Sequence, residues 1–284
     1  MMQSFWPMRD LMSIKLNNIN IGIIGKPNSG KSTLFNCLLK KNISPVGDEY
    51  GLTKKLYREK FTFNDQNFTI VDTPGLRRRS KVIERTEIDR NLEVIKLIKN
   101  IDTIILLIDS LENITKQDFK LADLVIKENK ILFFLFNKID IIEDKKKFRE
   151  KLDKMLKKNY DKYSIINIEF ISAKKNIKIK SAMNKVIEKR ELQSILIKKS
   201  KLNKFIEYLD KQGRYPKVKN IEIKPKYIVQ ITSKTTKFKV FINSKRKTPS
   251  IFKKYFDNAF RRYFELNGIP IIYNFVSSKN PYSD

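Results

Sequence analysis

The chain has 284 residues, and its 60 Lys and Arg against 31 Asp and Glu leave a net charge of +29, for which a polyanion is the natural partner. One cysteine, Cys37, and no histidine exclude a disulfide framework, a Cys/His zinc site and His-based acid–base or triad chemistry. The longest uninterrupted apolar run, Ile131–Phe136, falls well short of the roughly 20 residues of a membrane-spanning helix and of a secretory core of about 7–15.

Residues Met1–Lys15 show no clear period and are expected to be a tail or a linker remnant. From Ile19 onward, short apolar runs alternate with longer amphipathic ones. The runs Ile19–Ile24, Phe61–Phe63, Phe68–Val71, Thr103–Ile108, Ile131–Phe136 and Ile166–Ile171 predict strands. The stretches Lys31–Lys40, Thr86–Lys99, Thr115–Glu128, Lys145–Lys158 and Lys178–Arg190 predict helices. Nearly continuous buried strands separated by helices predict an α/β domain over 16–190, with a mostly parallel sheet and helices on both faces.

Residues 191–284 follow another pattern: a helix near Ile195–Lys211, strands within Val218–Thr232 and at Lys237–Asn243, a helix from Pro249 to Leu266, and a last strand at Pro270–Val276. Thr248 is the expected N-cap of the second helix, with Pro249 in its first turn, and Asn267-Gly268 its expected stop. This α-β-β-α-β order predicts a small α+β domain. Its 21 Lys and Arg against 7 Asp and Glu give it about half of the net charge in a third of the chain.

The strongest motif is Gly25-Lys26-Pro27-Asn28-Ser29-Gly30-Lys31-Ser32, which fits G-x-x-x-x-G-K-[ST] directly after a strand and before a helix that Ser32 and Thr33 help to open. Glycines let backbone amides turn inward around a phosphate, and the helix N-terminus faces the same anion. Lys31 would reach the β- and γ-phosphates of a nucleotide and the Ser32 hydroxyl would hold Mg²⁺. Asp72-Thr73-Pro74-Gly75 leaves the next sheet strand at its C-terminal end, where Asp72 can bind Mg²⁺ through water and the Gly75 amide can meet the γ-phosphate. Thr53 is the candidate γ-phosphate sensor and metal ligand in the stretch between.

Asn137-Lys138-Ile139-Asp140 ends the run Ile131–Phe136. The Asp140 carboxylate can accept from N1–H and the 2-amino group of guanine, groups that adenine cannot match, while the Lys138 stem covers the ring and Asn137 braces the loop. A backbone amide in Ser172-Ala173-Lys174 would meet O6. Together these spacings favour guanine over adenine.

The position after Gly75, where a water-orienting Gln is common in this nucleotide fold, is Leu76, so water activation must come from elsewhere. Asn28 is the candidate, through a K⁺ ion held beside the β–γ bridge, with shaping of the turn as its alternative role. Arg77, Arg78 and Arg79 form a basic cluster that could grip RNA phosphate in one nucleotide state, or simply be solvated.

The segments GKPNSGKSTLFN, DTPGLRRRSKV, NKID and ISA, in this order, resemble the Era-like GTPases. The C-terminal stretches Lys247–Phe256, Arg261–Phe264, Gly268–Phe275 and Lys279–Tyr282 resemble the closing KH-like domain of the Der (double-Era-like, EngA) family. The resemblance covers about Ile19 to Tyr282. It implies a slow GTPase with GTP/GDP and Mg²⁺ as ligands, acting on a large-subunit ribosomal precursor and its rRNA in a bacterial-type cytoplasm or an organelle of bacterial origin. No membrane partner is expected, and a monomer is. Der proteins carry two G domains and this sequence shows one. The family's switch-I G-T-T-R-D reads Gly51-Leu52-Thr53-Lys54-Lys55, which keeps the second Thr and loses the acid. An Era-type small-subunit factor and a non-hydrolysing GTP-bound RNA-binding module are the alternatives.

The G-x-x-G clamp of conventional KH domains is missing, because Gly213 and Gly268 are the only glycines after Arg190. On the helix after Pro249, Phe252, Phe256, Ala259, Phe260 and Tyr263 recur at helical spacing and are expected in the core. The RNA candidates are Lys253, Lys254, Arg261 and Arg262, with Lys245, Arg246 and Lys247 in the preceding loop; packing against the G domain is their competing use.

Overall fold

The computed structural model describes residues 16–26, 28–40, 58–71, 98–112, 114–157, 165–218, 221–232, 236–244 and 248–277. The chain divides into two compact units, one spanning Leu16–Arg190 and one that includes Glu191–Asp284.

The first unit is built on six strands: β1 (Ile19–Ile24), β2 (Arg58–Phe63), β3 (Gln66–Val71), β4 (Thr103–Asp109), β5 (Ile131–Asn137) and β6 (Asn167–Phe170). Their order in the sheet is β2-β3-β1-β4-β5-β6, and every pairing is parallel except β2 with β3. Each residue of β4 and β5 is buried, which accounts for the continuous apolar runs Ile104–Ile108 and Ile131–Phe136 within them: both faces of these central strands are covered. Strand β2 instead alternates exposed and half-buried residues, as an edge strand does. It turns into β3 through Asn64 and Asp65 at φ 47° and 58°, the left-handed pair that a two-residue hairpin requires. The hairpin extends β2 back to Arg58, three residues before the apolar pattern begins.

Helices α1 (Lys31–Leu39), α2 (Lys116–Lys127), α3 (Lys145–Lys157) and α4 (Ile179–Gln193) follow strands of this sheet. Leu34 and Leu38 of α1, and Ala122 and Val125 of α2, are buried. Phe136, Phe148 and Phe170 form an aromatic cluster between β5, α3 and β6, with centroids 5.5–5.9 Å apart. Most of the helix expected at Thr86–Lys99 lies outside the described residues; 98–99 are helical.

The second unit contains α5 (Lys199–Gln212), a short ribbon of β7 (Lys217–Val218) and β8 (Ile221–Glu222), then β9 (Pro225–Thr232), β10 (Lys237–Ile242), α6 (Ser250–Phe264) and β11 (Ile272–Ser277). The main sheet is ordered β11-β10-β9, with β10 parallel to β11 and antiparallel to β9. Phe205, Phe238, Phe252, Phe256 and Phe260 are fully buried among these elements.

Three local expectations need correction. Helix α5 starts at Lys199 rather than Ile195. The Gln230 side chain holds the preceding segment extended, its amide oxygen accepting from the Ile197 N–H at 2.9 Å and its nitrogen donating to the Ile195 carbonyl at 2.7 Å. Pro249, not Thr248, is the N-cap of α6: its backbone is extended (ψ 149°) and its carbonyl accepts the Lys253 N–H at 3.1 Å. The same helix stops before Asn267-Gly268, at Glu265, whose φ of 57° turns the chain so that the Leu266 N–H reaches the Arg261 carbonyl at 3.0 Å.

Candidate functional site

In open parallel sheets ligands bind beyond the C-terminal ends of the strands, where the strand order reverses. Here that reversal occurs at β1, flanked by β3 and β4. The segments leaving β1, β5 and β6 carry most of the described candidates.

The loop after β1 is shaped by two glycines. Gly25 has φ 149°, and a Cβ there would lie 2.3 Å from the Leu107 carbonyl oxygen on β4. Gly30 has φ 93°, and its Cβ would lie 2.3 Å from the Asn137 side-chain nitrogen. Both contacts forbid a side chain, so the loop can close tightly over the sheet only with glycine. Gly30 is the N-cap of α1; among the described residues no side chain caps that helix, and Ser32 and Thr33 are exposed in its first turn. Asn28 is exposed with φ 63°, a left-handed conformation that asparagine tolerates. The Lys31 ammonium donates to the Lys26 carbonyl and to Ser29 Oγ (3.2 Å), and the Ser29 hydroxyl donates to that same carbonyl at 2.9 Å. A loop with one ammonium directed into it, at the start of a helix with uncapped amides, suits a phosphate.

The loop after β5 is tied to the loop after β1 by Asn137. Its Nδ2 donates to the Ser29 carbonyl at 2.8 Å, and its Oδ1 accepts the Ala173 N–H at 2.9 Å. Lys138 has φ 65° and opens a 3-10 turn, Ile139–Ile141, whose Ile139 N–H is held by the Ile171 carbonyl at 3.1 Å. Asp140 follows, partly exposed, and the Ser172 hydroxyl bonded to it is the main reason its carboxyl is held below the usual carboxylate range; Lys175 and Lys174 add to that pull. Ser172 itself is buried and bridges to Ile177 in both directions, while Lys174 is exposed. The structure thus brings together Ser29, Asn137 and Ala173 as one braced unit, with Asp140 and Ser172 beside it.

Pro27, Thr53, Asp72, Thr73, Pro74, Gly75, Arg77, Arg78 and Arg79 lie outside the described residues, as do Lys245, Arg246 and Lys247. Of the expected Mg²⁺ ligands only Ser32 is described. Its hydroxyl is exposed beside Lys31 and is a hard oxygen donor of the kind this ion takes.

Sequence reasoning missed Asp109 and Asp118. Asp109 closes β4 opposite Asn137 in the strand register, and its Oδ2 lies 2.5 Å from Lys138 Nζ. Asp118 is the buried carboxylate of the α2 capping box, 3.2 Å from Lys26 Nζ. Two signals for them were present: an acid ending a wholly apolar strand, and the T-x-x-D spacing at Thr115.

Residues 20–138 match the family described as 50S ribosome-binding GTPase, and residues 197–275 match the KH-domain-like family at the C-terminus of EngA bacterial GTPases. GTPase Der of Borrelia garinii subsp. bavariensis is 34% identical over 273 residues, which make up 93% of this chain and 62% of that protein. Over nearly all of its length the chain is similar to Der/EngA GTPases. GTPase Der of Rickettsia prowazekii is 28% identical over 267 residues, 93% of this chain and 60% of that one. The chain therefore spans about three fifths of the length of the Der proteins it matches, with one G domain and the KH-like domain. Among solved structures, an Era from Aquifex aeolicus bound to GDP.AlF4- aligns at 20% identity with a TM-score of 0.47, over 92% of this chain and 93% of that one.

In the KH-domain-like unit, the basic candidates on α6 separate. Lys253, Lys254 and Arg262 are exposed. Arg261 is buried: its Nε donates to both Asp257 oxygens at 2.9 Å, and one terminal nitrogen donates to the carbonyls of Leu266 (3.1 Å) and Ile269 (2.6 Å). A buried guanidinium held by Asp257 and two carbonyls of its own domain is not available to phosphate, so Arg261 is removed from the RNA candidates. The aromatic positions Phe252, Phe256 and Phe260 are core, joined by Phe264, which the helical pattern did not single out. Among the described residues, no helix is long and apolar enough to cross a membrane.

Proposed function

We propose that this chain binds guanine nucleotides in the loops after β1, β5 and β6, hydrolyses GTP slowly, and uses its nucleotide state to govern docking on a large-subunit ribosomal precursor. The observation that carries the reading is the Asn137 bridge, which locks a phosphate-suited loop and the Asp140 loop into one unit. Only a ligand with phosphates at one end and a base at the other uses both.

In this reading Lys31 and the amides around Ser29 to Thr33, with Gly25 to Asn28 forming the near wall, take the β- and γ-phosphates. Asp140 accepts from N1–H and the 2-amino group of guanine, Lys138 covers the ring, and a backbone amide in Ser172–Lys174 serves O6. Ser32, with Thr53 and Asp72, holds Mg²⁺, which when bound screens phosphate charge. Gly75 and Thr53 sense the γ-phosphate, and Asn28 provides an oxygen for K⁺. Lys253, Lys254 and Arg262, with Arg77–Arg79 and Lys245–Lys247, supply the phosphate contacts to rRNA. The 50S ribosome-binding description of the matching family supports a ribosomal partner.

Two measurements test this. Calorimetry with GDP and with a non-hydrolysable GTP analogue, in Mg²⁺, should show binding of both, and no heat with either would refute the reading. Co-sedimentation with ribosomal subunits at stated salt should differ between the two nucleotides and favour the large subunit. Equal sedimentation in both states removes the switch, and preference for the small subunit favours an Era-type role.

A further inference from the structure

The stretch from the last residue of β4, Asp109, to the first turn of α2, Asp118, has no part in the reading above, yet its acids face both nucleotide loops. At its start, Asp109 is buried, with Oδ1 accepting the Leu111 N–H at 3.0 Å and Oδ2 lying 2.5 Å from Lys138 Nζ. At its end, Asp118 Oδ2 lies 3.2 Å from Lys26 Nζ, and Glu112 approaches the same ammonium to 3.6 Å. Asp118 cannot swing away: the same oxygen accepts from the Thr115 N–H at 2.8 Å and the Thr115 hydroxyl at 2.7 Å. The Lys26 carbonyl in turn is the acceptor shared by Lys31 and Ser29. One short segment therefore grips a lysine from each side of the site.

We infer that the β4–α2 segment is a clasp, in which Asp109 and Asp118 are positioning residues that set nucleotide affinity without touching the nucleotide. This deepens the guanine-nucleotide reading and rests on it. A lysine has four rotatable bonds, and ordering it on binding costs affinity; a buried carboxylate that has already ordered it removes that cost. Lys138 is the clearer case, because its φ of 65° is unfavourable for a residue with a Cβ and must be maintained by its surroundings. The Asp109 pair and the Ile139–Ile171 backbone bond provide them.

The test is nucleotide affinity of the full chain, with GDP and IDP as competing ligands. Asp109→Asn keeps an oxygen for the Leu111 N–H and loses the charge on Lys138. It should weaken GDP and IDP by the same factor, about tenfold, because IDP lacks only the amino group read by Asp140. Asp118→Asn keeps an acceptor for Thr115 and should weaken GDP by a similar factor. Lys26→Met should cost as much, and adding it to Asp118→Asn should cost little more. Parent-like affinity in both Asn variants overturns the clasp, and so does a changed GDP/IDP ratio in Asp109→Asn, which would mean that the whole loop had been disturbed. Circular dichroism checks folding. If one Asn variant is unfolded the other decides, and if both are, the acids are structural and the inference falls. A parent that binds neither nucleotide is a distinct result, refuting the guanine reading and the clasp with it.

Discussion

The side chain of Asn137 and the carbonyl of Ser29, 108 positions apart in sequence, meet in a 2.8 Å hydrogen bond, and Gly30 is a glycine because any Cβ there would collide with that same amide. A polar side chain at the end of a buried strand thus sets the height of the phosphate loop above the sheet. Asn137→Ala removes two hydrogen bonds and leaves the buried Ser29 carbonyl and Ala173 amide to find other partners. The expected loss is about 2–4 kcal/mol, read as a lower denaturation midpoint with unchanged m-value, together with weaker guanine-nucleotide binding. A variant as stable as the parent would show that the bridge does not hold the loop.

Asp140 carries the base-recognition argument and can be tested by chemistry and by pH. Asp140→Asn replaces an acceptor by a donor, so preference should move from guanosine towards xanthosine nucleotides; retained GTP preference would contradict its role. The Ser172 hydroxyl lowers the Asp140 pKa, so the carboxylate contributes at neutral pH and is lost only as pH falls through that lowered value. Ser172→Ala moves the value back towards the ordinary one, about 3.9. Loss of GDP binding on acidification should then begin at a higher pH than in the parent, measured by fluorescent-GDP titration across the acid range.

The parts of the candidate site that are local in sequence, its loops and the strands they leave, could be read in advance. The Gly25–Ser32 spacing encodes a loop whose glycines are required by contacts to β4 and Asn137, and the apolar runs Ile104–Ile108 and Ile131–Phe136 announce a sheet covered on both faces. What escaped depends on partners distant in sequence. Ile195 and Ile197 continue the apolar spacing of α5, yet Gln230, over thirty residues later, holds them extended. Arg261 looks like one more basic residue on an amphipathic helix until the chain beyond Glu265 folds back and delivers the carbonyls of Leu266 and Ile269. Lys26 reads only as part of the phosphate-loop motif and Lys138 only as the cover of the guanine ring, because nothing in their own loops reveals Asp118 and Asp109.

Asn28 gives the cation hypothesis a clean variant. Its backbone is left-handed at φ 63° and its side chain is exposed. Glycine adopts that conformation without penalty, so Asn28→Gly deletes the amide oxygen and leaves the loop path intact. GTP turnover by the parent should be faster in K⁺ than in Na⁺ at equal ionic strength. The variant should lose that difference while keeping GDP affinity within a few-fold. Equal turnover of the parent in both salts removes K⁺ from the mechanism, and a variant that still prefers K⁺ assigns Asn28 to the turn alone.

Arg261 and Arg262 are adjacent in sequence and opposite in role, which makes them a matched pair for the RNA face. Arg261→Ala leaves Asp257 and two buried carbonyls without their guanidinium, so the C-terminal unit should lose about 3–5 kcal/mol and its thermal transition should fall. Arg262→Ala changes an exposed side chain and should leave that transition within the ±0.5 kcal/mol or so typical of surface substitutions. Combined with Lys253→Ala and Lys254→Ala it should weaken rRNA binding and flatten the dependence of affinity on salt, because fewer counterions are released. If the triple variant binds rRNA with the parent's affinity and salt slope, the exposed face of α6 is not the contact surface, and the search moves to Lys245–Lys247 and Arg77–Arg79.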